Sequence, residues 1–268
     1  MLRDITLGQY YSTDSVIHRL DPRVKLMGTL CYIISLFCVK NPLGYALCAL
    51  FLCIVIALSK VPVKFMIRGL KAIILLLLIA GFFNLFFTPG DPIWQWKKIS
   101  ISKQGIYMAS TMVLRLALLI MGSSIMTLTT TPNYLTDGLE KGLGFLKVIK
   151  VPVHEIAMMM SIALRFIPIL LEETDKIMKA QMARGADFES KNIIKKAKAL
   201  VPLLVPLFVS AFRRANDLAL AMEARCYRGG EGRTKMKPLK YKKSDAFAYI
   251  IIFAYLALCI FLGRMLFS

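Results

Sequence analysis

Two stretches of sequence organise this chain, VHEIAMMMSIALRFIPILLEETDKIMKAQMARG at 153–185 and LVPLLVPLFVSAFRRANDLALAMEARC at 200–226. Each begins with an apolar run next to a proline, becomes charged further on, and ends with an arginine between small residues. This pattern predicts two long helices, at 153–184 and 190–225. The chain therefore repeats one design, and the shared feature is how each helix ends.

The two helix ends hold the candidate docking residues, which are Ala183, Arg184 and Gly185 in the first helix and Ala224, Arg225 and Cys226 in the second. An arginine between small residues exposes its planar guanidinium, which suits bidentate binding of a carboxylate in a partner's groove. A second interpretation stays open, because cations in a last turn complement the helix dipole and Gly185 suits the position after a helix. The repetition of the motif favours docking.

The composition is typical of a membrane protein, with 57% hydrophobic residues and a mean hydropathy of +0.62. A net charge of +19 would indicate nucleic acid as the partner of a soluble chain, but in a membrane protein excess Lys and Arg mark cytoplasmic segments. Residues 131–244 hold 21 of the 35 basic and 11 of the 16 acidic residues. We expect that block and the N-terminus, which has no cleavable signal, to be cytoplasmic, with no nucleic-acid partner.

Five apolar runs predict transmembrane helices, at 26–39, 43–58, 72–87, 106–128 and 246–261. Asp21-Pro22 predicts the start of the first helix, and the turn Lys40-Asn41-Pro42 separates it from the second. A basic loop containing Lys64 and Arg68 precedes the third, which the positive-inside rule places in the cytoplasm. Lysines near the helix ends, such as Lys25, can extend their charges to the interface.

The sequence thus predicts an all-α, polytopic membrane protein with about five transmembrane helices, a cytosolic arm of two long helices, and one interfacial helix. The predicted domains are a membrane bundle of four helices at 1–131, a cytosolic helical domain at 132–244, and a C-terminal transmembrane helix at 245–268. The interfacial helix follows Thr131-Pro132, where leucines recur at helical spacing as far as Leu146. Charge bias keeps the two long helices out of the bilayer, whereas hydropathy alone leaves both placements open.

Two polar residues fall inside predicted spans, Asn84 in the third and Arg115 in the fourth. A charge in the bilayer needs a partner, so Arg115 either contacts a membrane protein bound from the side or is hydrogen-bonded internally, with Asn84 as a neighbour. The first four spans contain no acidic residue. This disfavours a proton- or sodium-coupled carrier, whose relay needs carboxylates in the membrane.

No catalytic or metal-binding pattern is present in the sequence. The two histidines, His18 and His154, lack metal-ligand spacing, and there is no phosphate-binding loop, zinc-protease motif or nucleophile elbow. We therefore expect this chain to bind no cofactor and to catalyse no reaction. A basic helical arm with two exposed arginines suggests a subunit that receives work from a separate ATPase.

Several motifs together resemble the transmembrane T component of energy-coupling factor (ECF) transporters. They are Gly8-Gln9-Tyr10, the run from Ser15 to Leu26 that contains His18-Arg19-Leu20-Asp21-Pro22-Arg23, the run from Phe83 to Gly90, and the two Ala-Arg motifs. The resemblance covers essentially the whole chain. Each motif is weak by itself, but their combination is specific.

This resemblance implies a multi-pass cell-membrane subunit that links two ATP-binding cassette ATPases to a separate substrate-binding membrane protein, the S component. The ATPases would use ATP and Mg²⁺ and receive Arg184 and Arg225, while the S component would bring a vitamin or another micronutrient. Cys226 stands where the family commonly has a small residue after the arginine.

Two other classes remain open: the permease subunit of an ordinary ABC importer, and a membrane-bound scaffold or enzyme that does not transport. The first needs a polar substrate pathway of its own. The second needs a cluster of titratable residues near the interface, for which the nearest candidates are Glu172, Glu173 and Asp175. Their spacing fits a solvated helix face better.

Overall fold

The computed structural model describes residues 10–39, 41–89, 92–96, 99–186, 188, 193–230, 236 and 238–265. Its elements, in chain order, are α1 (Val16–Arg19), α2 (Pro22–Cys38), α3 (Pro42–Ser59), α4 (Val63–Phe87), β1 (Pro92–Trp96), β2 (Ile99–Ser102), α5 (Lys103–Thr129), α6 (Pro132–Gly142), α7 (Val153–Ala183), α8 (Ile193–Ala224) and α9 (Lys243–Met265). A 3₁₀ segment, Gly144–Ile149, follows α6. The predicted all-α class is confirmed; the small antiparallel hairpin of β1 and β2 is an addition to it.

The chain divides into two compact units. Within the described ranges, one unit comprises residues 10–138 and 239–265, which we call the bundle unit, and the other comprises Leu139–Pro238, which we call the arm unit. The bundle unit holds α1 to α5, most of α6, and α9, whereas the arm unit holds α7 and α8. The chain therefore leaves the bundle before the two long helices and returns to it for the last one.

The bundle unit is built on apolar helices that pack in pairs. Helix α4 lies against α5, and α2 contacts α9, α5 and α3. The buried core includes Leu36, Tyr45, Met66 and Cys259. Many large apolar side chains on the same helices stay exposed, which in a bilayer places them against lipid.

A polar clip joins the starts of α2 and α9. The Asp21 side chain accepts from the Arg23 backbone N–H and caps α2, as predicted. The buried Asp245 carboxylate accepts from the Asp21 N–H at 3.0 Å and from the Lys242 N–H at 2.7 Å. The guanidinium of Arg23 pairs with Asp21 at 3.1 Å and lies 4.0 Å from the ring centroid of Tyr241. The Asp-Pro-Arg motif therefore holds the starts of α2 and α9 together.

Inside the bundle, a small polar cluster connects α2, α3 and α9. The hydroxyls of Ser35 and Tyr255 are 2.8 Å apart, and Tyr255 donates to the Cys48 sulfur at 3.1 Å. All three side chains are buried. Hydrogen bonds between helices are favourable in a bilayer, because hydrocarbon offers polar groups no alternative partner.

Among the described residues, five helical segments are long and apolar enough to cross a membrane, which is the predicted number. Three coincide with predicted spans, Pro42–Ser59, Lys103–Thr129 and Lys243–Gly263, whereas Val153–Ala183 and Lys198–Ala224 belong to the arm unit and the predicted spans at 26–39 and 72–87 are not among the five. A sixth is α4, if its two parts, Val63–Lys71 and Ile73–Phe87, count as one span despite the 60° bend between them. Helix α2 has 17 residues, a length of about 26 Å. The set includes both long helices of the arm unit, so their cytosolic placement stays a prediction.

Three local expectations were wrong. The segment with Lys64 and Arg68 is not a loop but the first part of α4. The predicted interfacial helix ends at Gly142, four residues before Leu146, and the chain continues as the 3₁₀ segment. The ammonium of Lys25 does not extend freely from α2, because it donates to the carbonyl oxygens of His18 and Thr129. Periodicity of leucines predicts helical backbone, but it does not distinguish an α-helix from a 3₁₀ turn next to a glycine.

The arm unit matches the predicted pair of long helices closely. Helix α7 has 31 residues and α8 has 32, so each is close to 50 Å long. Three prolines, Pro168, Pro202 and Pro206, lie within continuous helix. Helices α7 and α8 pack against each other, and this pair presents the candidate docking residues.

Candidate functional site

Helix α7 ends in a fully bonded cap around Arg184. Ala183 is the last helical residue, and Arg184 is the C-cap with φ −89° and ψ 7°. The Gly185 N–H donates to the Met182 carbonyl at 3.0 Å, and the Ala186 N–H donates to the Gln181 carbonyl at 3.0 Å. Gly185 has φ +88°, the left-handed conformation that glycine adopts without steric cost. This pair of hydrogen bonds and the left-handed residue define a Schellman motif.

Helix α8 ends in the same way around Arg225. Ala224 is its last residue, the Cys226 N–H donates to the Glu223 carbonyl at 2.8 Å, and the Tyr227 N–H donates to the Met222 carbonyl at 3.0 Å. Cys226 takes the left-handed position, with φ +55°. Both arginines therefore stand at the residue between the helix and the left-handed turn, and the repetition read in the sequence is a repetition of backbone geometry.

Both guanidinium groups are available to a partner. Arg184 and Arg225 are exposed, as are Ala183, Gly185 and Ala224 around them. Within the described part of the chain, neither arginine lies within 4.0 Å of a carboxylate oxygen. The geometry suits a docking residue, and it also satisfies the simpler interpretation of a cation at a capped helix end.

The residue after the second arginine carries local strain. Cys226 has a Cβ, and a left-handed backbone brings the Cβ of an L-residue close to the following carbonyl, at a cost of about 1–2 kcal/mol. Its thiol is exposed and is not paired in a disulfide. The Schellman motif thus forms here although its left-handed position holds a cysteine instead of a glycine.

A second polar clip joins the two long helices α7 and α8, and no pattern in the sequence predicted it. Glu173 on α7 accepts a hydrogen bond from the Ser210 hydroxyl and pairs with Arg214 on α8, whose Nη2 and Nε lie 2.8 Å and 3.2 Å from its Oε2. We had interpreted Glu173 as part of a solvated helix face with Glu172 and Asp175. No single-sequence signal pairs residues 41 positions apart, because the pairing depends on how the helices cross.

Beside this clip, α7 and α8 enclose an apolar groove of about 290 Å³. Its lining includes Phe166 and Leu170 from α7 and Ala215 and Leu218 from α8. Much of the remaining α7–α8 surface is also apolar. In the most apolar 18-residue stretch of α8, only 6% of the residues are buried. Such a surface needs cover, from lipid or from another protein.

The two intramembrane polar residues do not contact each other as we expected. Both the Nε and Nη2 groups of Arg115 donate to the hydroxyl of Tyr45 on α3, with the Nε at 2.9 Å. The side-chain amide of Asn84 donates at 2.8 Å to the Ala80 carbonyl one turn earlier on its own helix. Internal hydrogen bonding of Arg115 is therefore confirmed, but its partner is a phenol that hydropathy could not identify.

Neither histidine belongs to a cluster of metal-binding side chains in the part of the chain that the structure describes. His18 lies 2.7 Å from the Ser15 hydroxyl and 3.0 Å from the Tyr11 carbonyl oxygen. His154 pairs with Glu140 at 2.9 Å in the arm unit. Each histidine thus has a local structural contact.

Comparisons with known proteins show similarity to membrane transport proteins. The CbiQ family, described as cobalt transport protein, matches residues 13–236. A protein of Acidaminococcus fermentans named "Energy-coupling factor transporter transmembrane protein EcfT" is 52% identical over 262 residues, 98% of each chain. Proteins with the same name from Clostridium kluyveri and Lactococcus lactis subsp. cremoris are 56% and 46% identical, over 92% and 94% of this chain and 93% and 95% of their own lengths.

Proposed function

The chain belongs to the CbiQ family, as one of the transmembrane proteins of energy-coupling factor transporters, and on that premise we propose that it couples ATP hydrolysis by partner subunits to substrate uptake. In this role it is a non-catalytic subunit that links two ATP-binding cassette ATPases to a substrate-binding S component in the cell membrane. ATP and Mg²⁺ belong to the ATPases, and the substrates are vitamins or other micronutrients. The N-terminus and the arm unit face the cytoplasm.

The observation that carries this proposal is the repeated cap at the ends of α7 and α8. Two ATPases of similar shape require two similar contact points, and Arg184 and Arg225 have the same backbone hydrogen bonds around them, are both exposed and each follow an alanine. A guanidinium at such a point forms paired hydrogen bonds with a carboxylate in a groove. The two Schellman motifs fix the direction in which each arginine leaves its helix.

The long helices supply the mechanical link. Closing of the ATPases on ATP would move the two arginines, and a helix close to 50 Å long carries that movement over its whole length. The bond of Glu173 to Ser210 and Arg214 makes α7 and α8 respond together instead of sliding independently. The far ends of the helices would then change the surface that the S component contacts.

The groove between α7 and α8 is the proposed contact for the S component. It is lined by alanines and large apolar residues, and an exposed apolar surface of this kind marks a site where another protein packs. Asn84 and Arg115 provide a second candidate contact in the bundle unit, although Arg115 would have to share its guanidinium with Tyr45.

Co-purification tests the assignment directly. Expressed with candidate ATPases and S components, the tagged chain should retain two ATPase subunits and one S component in a stable complex. The purified chain alone should neither hydrolyse ATP nor bind a vitamin tightly. A chain that hydrolyses ATP stoichiometrically, or that never retains an ATPase, would exclude the coupling role.

A further inference from the structure

The bundle unit contains an apolar cavity of about 220 Å³ that the coupling role does not use. Helix α2 contributes Lys25, Gly28, Thr29 and Tyr32 to its lining, and α1, α3, α5 and α9 complete it. These four residues are spaced i, i+3, i+4 and i+7, so they share one face of α2. The cavity therefore runs along α2 for about two turns, with a cation at one end.

The cavity opens towards the lipid-facing side of the bundle. Three of its lining residues are large and well exposed, Ile54 and Leu58 on α3 at 51% and 48%, and Ile251 on α9 at 44%. Helices α3 and α9 are both long and apolar enough to span the membrane. In a bilayer these exposed lining residues meet hydrocarbon, not water.

The cation at the end of the cavity has only neutral partners. The Lys25 ammonium donates to the Thr129 carbonyl at 2.8 Å and the His18 carbonyl at 3.2 Å. Among the described residues, no carboxylate oxygen lies within 4.0 Å of it. Arg23, in the same helical turn, is by contrast paired with Asp21. Asp21 attracts Lys25 from beyond 4.0 Å but is itself paired with Arg23, so the half-buried ammonium has no counter-ion in contact with it and favours an anionic ligand.

A second lining group also lacks a partner. The hydroxyl of Tyr32 is buried, and no hydrogen bond to it is found among the described residues. Tyr32 lies seven residues after Lys25, about 10 Å further along α2. An unpaired buried hydroxyl costs about 1–3 kcal/mol, and a ligand with oxygen atoms near its head could reduce that cost.

The size of the cavity indicates the class of occupant. An apolar cavity of about 150 Å³ excludes water and accepts a guest the size of benzene. A space of 220 Å³ that opens to hydrocarbon fits a segment of an acyl chain.

We propose that this cavity binds one acyl chain of an anionic phospholipid, whose phosphate pairs with Lys25 and is not neutralised by a cation of its own headgroup, as it is in phosphatidylcholine. The chain fills the space between α2, α3, α5 and α9, and the phosphate supplies the counter-ion that Lys25 lacks. The lipid is therefore a bound ligand of the bundle unit, independent of the docking role of the arm unit.

Native mass spectrometry of the full-length chain in neutral detergent tests this site. The probes are phosphatidylglycerol and phosphatidylcholine with identical acyl chains, and the free fatty acid of the same length. We expect one phosphatidylglycerol per chain, bound about five- to tenfold more tightly than phosphatidylcholine or the fatty acid. This ratio of affinities corresponds to the attraction between one lysine and an anionic lipid headgroup. Lys25→Gln should abolish that preference, and Lys25→Arg should keep most of it.

Two further variants make the test decisive. Lys64→Gln removes an exposed cation from α4 and should bind phosphatidylglycerol like the wild type. Ala248→Phe places a benzene-sized ring in the cavity and should remove the tightly bound lipid although Lys25 is unchanged. If Lys25→Gln aggregates, Ala248→Phe decides alone. Equal binding of both phospholipids by the wild type, tighter binding of the fatty acid, or unchanged binding by Ala248→Phe would overturn the proposal.

Discussion

Arg184 and Arg225 occupy the same position, the C-cap, of the two long helices, and the backbone after each closes with the same two hydrogen bonds. The residue that follows each arginine is left-handed, Gly185 at φ +88° and Cys226 at φ +55°. The two side chains therefore leave their helices at equivalent points. This equivalence is what two matching contacts with similar partners require, and variants at Arg184 and Arg225 distinguish such contacts from two ordinary capped helix ends.

Reversing the charge of the two arginines should release the ATPases. If Arg184 and Arg225 each enter an acidic groove, Arg184→Glu or Arg225→Glu places like charges together, and losing a partner of a desolvated charge pair costs about 2–5 kcal/mol. Pull-down of the ATPases and transport by the single and double variants measure the effect. A cation that only complements the helix dipole is worth about 0.3–1 kcal/mol, which would leave the complex assembled.

Two exposed cations of α8, Lys198 and Arg213, provide matched controls for this experiment. Lys198→Glu and Arg213→Glu change the net charge by the same amount without touching a helix end. Both should assemble and transport like the wild type. The docking role is excluded if the tip variants and these controls behave alike.

Single substitutions at the two residues after the arginines should change the free energy of unfolding in opposite directions. Cys226→Gly removes the left-handed strain and should stabilise the chain by about 1 kcal/mol, after allowing for the greater freedom of glycine in the unfolded state. Gly185→Cys should destabilise it by a similar amount, although nothing lies within 4 Å of the added Cβ. Thermal unfolding of the purified chain measures both. Equal midpoints for the two variants would mean that the left-handed position carries no strain.

Breaking the clip between α7 and α8 should reduce coupling more than docking. Glu173→Gln removes the charge that Arg214 contacts at 2.8 Å, while the tips at Arg184 and Arg225 are untouched. Because the Arg214 side chain is 39% exposed, the pair is worth at most about 1 kcal/mol in stability. We expect normal retention of the ATPases with less transport per ATP hydrolysed.

A charge swap at the clip provides the control for that prediction. The double variant Glu173→Arg with Arg214→Glu restores opposite charges at the crossing and should recover part of the coupling lost in Glu173→Arg. Unchanged transport per ATP in Glu173→Gln would show that α7 and α8 move together without this contact.

Protonation of His18 should destabilise the bundle unit as the pH falls. Nε2 of His18 lies 3.0 Å from a carbonyl oxygen, so it donates, and Nδ1 accepts from the Ser15 hydroxyl at 2.7 Å, which describes a neutral ring. Burial lowers the pKa of His18 below its usual value of 6.5. The unfolded chain therefore binds the proton more readily, and stability is lost as the pH drops through 6.5 towards the folded-state pKa.

Thermal midpoints measured from about pH 7.5 to about pH 5.5 test this assignment. His18→Gln should flatten the fall in stability over that range. His154→Gln removes a histidine from the arm unit and should leave the His18 contribution in place. An identical slope in His18→Gln and the wild type would contradict the assignment.

Local signals predicted the helix ends best. Asp21-Pro22 starts α2 because an aspartate caps the free N–H groups and proline fits the first turn, and both effects act within a few residues. The two Ala-Arg endings were likewise placed within one residue of the observed ends of α7 and α8. Hydropathy predicted the membrane class for a similar reason, since the length and polarity of one segment suffice to decide it.

Local sequence patterns did not predict which side chains pair across two helices. The Tyr45 hydroxyl accepts a hydrogen bond from Arg115, 70 positions later in the sequence, and Glu173 pairs with Arg214, 41 positions later. Each pairing depends on the angle and register at which two helices cross, and side-chain spacing along one helix carries no information about either.

The sequence by itself determined the class of this protein, its membrane location and the two arginine-tipped helices, because hydropathy, capping and charge are properties of contiguous residues. Only the tertiary structure decided that both arginines sit in the same Schellman cap, and that Lys25 closes one end of an apolar cavity with no acidic partner among the described residues. The first fact depends on the backbone dihedral angles of a few consecutive residues, including a left-handed Cys226 that its residue type does not predict. The second depends on the packing of five elements around one space, which no single segment of the chain encodes.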